Sequence, residues 1–211
     1  MKFWTAFILL LTNLAPLYGV LELGWSVAFL MFLYWSETAI IGFFTILKIL
    51  GVEHKANYFL INPNVPTVKV RIKSKLGIIA FFIVHYGGFM FGHFIFLFVL
   101  FVFNGPPFVG DFFAAWYQLK LNFLLLFVGH SISFFGNYVR KKEYLHATVT
   151  FLVWAAYKRV IFMHFVIVGC GFLAMHLFTN TPLIFMSFIV GLKTVIDLHF
   201  HFKIHRALQK G

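Results

Sequence analysis

Six stretches of the chain are nearly unbroken Phe, Leu, Ile and Val, at residues 3–21, 25–50, 76–103, 117–139, 160–178 and 182–203. Each is close to or above the roughly 20 residues that a helix needs to cross hydrocarbon. Polar positions cluster between these runs instead of alternating within them. Alternation of the strand type is confined to "TVKVRIK", 67–73, in the longest break, and reads as an extended segment or a basic loop lying on headgroups. The pattern predicts an all-α fold: one domain over residues 1–211, a transmembrane bundle of six spans. The other breaks carry their own signals. "INPNVP", 61–66, has turn chemistry, and the paired prolines of "NGPPFVG", 104–110, stop a helix. "DFFAAWYQL", 111–119, is expected as an interfacial turn with Trp116 and Tyr117 in the aromatic belt. Residues 144–157 are expected as a helix lying on the membrane surface before the fifth span.

The first run also has the charged start and apolar core of a secretory signal. No small-x-small cleavage site follows it, and the second run begins a few residues later. It is therefore read as a retained span.

Composition supports lipid as the solvent. Hydrophobic residues make up 62% of the chain and charged residues only 11%, against about 25% charged in soluble domains. The net charge of +11 would suit nucleic acid, but its placement argues for topology instead. Lys2, the second connection (Lys48, Lys55, Lys69, Arg71, Lys73, Lys75), the fourth (Arg140, Lys141, Lys142, Lys158, Arg159) and the C-terminal end (Lys203, Arg206, Lys210) hold 15 of the 17 cations. In a six-helix weave all of these lie on one side. The positive-inside rule makes that side cytoplasmic, with both termini on it, in a multi-pass protein of the cell membrane. Lipid is the expected partner and nucleic acid is not. A single cysteine, Cys170, rules out an internal disulfide and cysteine-based zinc sites.

Ionisable groups at membrane depth are costly unless paired, so each is a functional candidate. Glu37, His85, His93, His130, His164, Lys193 and Asp197 all fall inside predicted spans, with Arg159 at the inner boundary. Lys193 and Asp197 stand four apart and can pair within one helix. Glu37 has no such neighbour and needs a partner from another helix, a metal or a proton. At about 100° per residue His85, Gly88 and Gly92 share a line. Gly88-x-x-x-Gly92 is then a seam for a second helix, with Gly171 repeating the pattern beside His164. Either glycine face is also a candidate surface for a homo- or hetero-oligomer. His93 is rotated by about 80° from His85 and lies two turns further out.

"YWSE" (34–37), "HYGGF" (85–89) with His93, "RVIFMH" (159–164) and "LKTVID" (192–197) resemble, in matching order, an uncharacterised family of polytopic prokaryotic membrane proteins. The resemblance implies that Glu37, His85, Arg159, His164, Lys193 and Asp197 form a shared polar set, and it implies no activity.

Three chemistries fit such a set. A metal-dependent enzyme acting on a lipid-like substrate would use His85, His93, His164 and Asp197 as ligands to Zn or Fe. Glu37 would then be its base, and Arg159 and Lys193 would hold an anionic group. A proton-coupled transporter or channel would use Glu37, Asp197 and the histidines as a relay. A haem electron-transfer protein would use His85 and His164 as axial ligands, whereas a structural or accessory subunit would use the polar cluster only to fix helix packing. A rhomboid-type serine protease is excluded, because "GHSIS" (129–133) lacks the Gly-x-Ser-Gly pattern.

Overall fold

A computed structural model describes residues 2–52, 72–99, 108–176 and 182–210. It describes side-chain surroundings at residues 7, 10–52, 75–99, 119–169, 184 and 186–203. Among the described residues the protein is all-helical. Its helices are α1 (Lys2–Glu22), α2 (Val27–Gly51), α3 (Ile72–Phe98), α4 (Phe108–Ser133), α5 (Val149–His176) and α6 (Pro182–Lys210). Four of the six contain a segment long and apolar enough to cross a membrane: Val27–Gly51, Lys75–Phe98, Leu119–Val139 and Val149–Gly169. The expected turn at 61–66, most of the extended segment at 67–73 and the belt side chains Trp116 and Tyr117 lie outside the described residues. So do the side chains of Cys170 and Gly171.

α2 is the central post, packed by α3, α4 and α5, while α1 packs against α6 and α4. Its sequence explains the position. α2 is apolar all round, which marks a helix buried among others. Its serine and threonine hydroxyls at 36, 38 and 45 are satisfied within the helix: Ser36 Oγ donates to Leu33 O at 2.7 Å, Thr38 Oγ1 to Tyr34 O at 2.9 Å and Thr45 Oγ1 to Ile41 O at 2.8 Å. Leu30, Met31, Leu33 and Tyr34 are the centre of the main core. The outer faces are equally apolar. Phe81, Val84 and Phe91 on α3, Leu121 and Leu124 on α4, and Ile184 and Phe188 on α6 are all exposed. Water would penalise that surface and lipid would not.

The connections are tight where they are described. Gly24 takes φ 64° between α1 and α2, a left-handed conformation in which a side chain would be strained. Ser26 then caps α2 by accepting from Phe29 N at 3.2 Å. α4 runs on through a π-helical turn, Phe134–Val139, and a left-handed Lys142 before α5 begins. At the α2 C-terminus Lys75 Nζ donates to Leu50 O at 3.3 Å and also to Val52 O. Tyr138 Oη donates to Lys48 O at 2.6 Å.

Three expectations need correction. The interfacial turn at 111–119 is helical, because α4 starts at Phe108, directly after the proline pair. The surface helix expected at 144–157 does not stand apart. From Val149 it is continuous with the fifth helix to His176, since no Pro or Gly interrupts 149–168. Arg159 consequently lies well inside α5, flanked by Ala156 and Val160, which pack on Phe82 and Tyr86 of α3. Finally, the seam expected at Gly88 and Gly92 is not filled. A Cβ at either position would meet nothing within 4 Å, so this face of α3 points away from the bundle.

Candidate functional site

The charged side chains gather where α1, α2, α4 and α6 meet. Lys193 and Asp197, one helical turn apart on α6, pair with Nζ to Oδ2 at 2.6 Å. The same ammonium pairs with Glu37 Oε2 of α2 and donates to Asn13 Oδ1 of α1 at 2.6 Å. Asn13 Nδ2 donates in turn to Asp197 Oδ2 at 3.2 Å. Nζ also stands 5.2 Å from the centre of the Tyr34 ring, within cation–π range. From α4, His130 Nε2 approaches Glu37 Oε1 at 3.6 Å, long for a hydrogen bond, and the ring stacks on Phe44. Asn13, Glu37, Lys193 and Asp197 are 1%, 3%, 3% and 8% exposed, so water screens these charges little. Two carboxylates share one ammonium, which leaves one negative charge unless a proton resides in the network.

A second cluster lies between α3 and α5. His93 Nδ1 is 2.8 Å from Phe89 O. A carbonyl only accepts, so this nitrogen carries the proton. In a neutral ring Nε2 is then an acceptor, and its short contact with His164 Nδ1 needs the proton of His164. That leaves His164 Nε2 as the basic nitrogen of the pair. His85 stands apart, exposed, stacked on Phe81 and hydrogen-bonded through Nδ1 to Tyr157 Oη at 2.8 Å. Trp35 Nε1 donates to Met90 O at 2.8 Å, and Tyr86 Oη to Thr38 O at 2.8 Å, fixing α3 against α2.

The residues singled out by sequence thus divide. Glu37, Lys193 and Asp197 come together; His93 and His164 come together; His85 and Arg159 join neither set. The expected ligand set of His85, His93, His164 and Asp197 does not converge. Among the described residues no group of three or more His, Cys, Asp or Glu could hold a metal ion. Lys193 Nζ is instead the cation that Glu37 and Asp197 share. Of the two histidines expected to pair on haem, His85 bonds to Tyr157 and His164 to His93. Asn13 was missed by sequence reasoning. It is an amide within an apolar run, "LTNLAP", and its polarity there is the signal that could have found it. His130 is the fourth helix's contribution to the network.

The profile of a family of unknown function, DUF6498, matches residues 2–211, and the chain belongs to that family. No curated protein and no solved structure matches it.

Proposed function

We propose that this member of DUF6498 is a multi-pass protein of the cell membrane whose charged network binds and releases a proton, as a proton-coupled transporter requires. One observation carries the reading: the buried Glu37–Lys193–Asp197 arrangement holds one carboxylate too many for its single ammonium. A buried, uncompensated charge costs several kcal/mol, and taking up a proton removes it. His130, 3.6 Å from Glu37, is a second group able to hold that proton. In this reading all six helices cross the bilayer and both termini face the cytosol. α6 tolerates Lys193 and Asp197 because they pair with each other, with Asn13 of α1 hydrogen-bonding both and Glu37 of α2 pairing with Lys193.

Proteoliposomes with an entrapped pH-sensitive dye test the idea. Wild-type protein is expected to dissipate an imposed pH gradient faster than empty vesicles. Glu37→Gln leaves a balanced Lys193–Asp197 pair, so it should fold while slowing dissipation at least about tenfold, the scale on which lost proton-transfer groups act. Equal rates for wild type, Glu37→Gln and empty vesicles would refute the proposal.

A further inference from the structure

The bundle-facing stripe of α6 changes character halfway along. It begins with Met186, Ile189 and Val190, all buried. It goes on with Lys193, Thr194, Asp197 and His201, which are buried as well, His201 at 6% exposure. At about 100° per residue the opposite stripe holds Ile184, Phe188, Val195 and Phe202, which are apolar and exposed. α6 therefore turns its polar side inward along its C-terminal half, the reverse of a helix on the surface of a soluble protein. From Lys193 to His201 this polar stripe covers about 12 Å, at about 1.5 Å per residue. The Glu37 network accounts for Lys193 and Asp197, and Thr194 Oγ1 donates to Val190 O at 2.7 Å within its own helix. His201 lies one turn beyond Asp197, at the spacing where helical side chains meet. Two residues further on Lys203 is exposed, and Arg206 and Lys210 follow, as cations do where a helix leaves hydrocarbon.

A titratable group turned inward at this depth is costly, and apolar side chains would pack the stripe as well. The network is itself buried, so a proton that enters it needs a carrier between Asp197 and water. We infer that His201 is that carrier, passing protons between Asp197 and the basic end of α6. The inference rests on the proton-binding reading of the Glu37 network and names its route. Imidazole suits the step because it gains and loses a proton near neutral pH. It takes a proton on its unprotonated nitrogen and releases the one on the other nitrogen, so the ring ends with the charge it began with. The released proton goes to a carboxylate oxygen of Asp197, directly or through one water. The network then passes from one negative charge to none. Lys193, paired with both acids, can give one proton to Glu37 as it takes one from Asp197, and it stays an ammonium throughout.

Dissipation of a pH gradient in proteoliposomes of the full chain tests the route, with wild type and Glu37→Gln run beside the new variants. His201→Gln can hydrogen-bond but carries no proton, and should slow dissipation about tenfold or more. His201→Glu puts a titratable group back and should recover most of that loss. His199→Gln, on the exposed side of α6, should match wild type. Thermal melts of the same preparations show whether each variant is folded, and His201→Asn takes the place of His201→Gln if that one misfolds. Slow dissipation in Glu37→Gln with the wild-type rate in His201→Gln overturns the route and leaves the network as the proton's site. Equal loss in His201→Gln and His201→Glu also overturns it, because a residue that only packs does not distinguish a side chain that carries a proton from one that cannot. Wild-type protein no faster than empty vesicles removes the proton-binding reading, and the route with it.

Discussion

At the residue scale, Lys193 holds two carboxylates that would otherwise face each other in a dry interior. Its replacement by Met leaves Glu37 and Asp197 without their ammonium. Breaking a buried pair in this way costs about 3–5 kcal/mol, so Lys193→Met should unfold far earlier than wild type in a detergent thermal melt. The triple variant Glu37→Gln/Lys193→Met/Asp197→Asn removes every charge together and should regain much of that loss. If the single and triple variants melt together, the charges are not what binds these helices. Some of this was legible in the chain. Four-residue spacing predicts the Lys193–Asp197 pair, and the cost of an isolated buried carboxylate predicts that Glu37 finds a partner. Which helix supplies the partner was not legible, because spacing gives phase within a helix and no azimuth between helices. The same limit hid the contact of His93 with His164, since reading α3 alone placed His93 only relative to His85.

At the element scale, helix existence was readable from apolar runs, and helix ends were not. Lys158 and Arg159 look like a membrane boundary in sequence, yet α5 continues through them, since no Pro or Gly interrupts 149–168. The glycines divide in the same way, since the sequence marks small residues without saying which ones are covered. Gly42 is covered: a Cβ there would come within 2.6 Å of the Tyr86 ring. Gly42→Leu should therefore displace Tyr86 from Thr38 O and cost about 1–3 kcal/mol, the usual scale of overpacking. Gly88→Leu meets open space and should leave monomer stability within about 0.5 kcal/mol, as surface changes do. Melting curves of the two variants check this contrast, and a large loss in Gly88→Leu would mean that the face is occupied. If the Gly88–Gly92 face joins copies of the chain, that variant should lose chemical cross-linking while its stability holds.

At the scale of the whole molecule, segregation of the cations predicts a topology, and composition points to lipid as the solvent. Fusing a fluorescent protein that matures only in the cytosol to the C-terminus should give a bright membrane, and an alkaline phosphatase fused there should be inactive. The opposite result would invert the bundle. What the apolar pattern does not contain is the closure of the fold, in which α1 and α6 lie side by side. Asn13 and Lys193, hydrogen-bonded to each other, are 180 residues apart in the chain. During synthesis Glu37 thus enters the bilayer long before its ammonium has been made. In the interval it has to travel as a neutral acid or remain shielded by the insertion machinery. The last helix is consequently the step that releases the nascent protein from that dependence, and assembly should be slowest and most vulnerable just before it arrives.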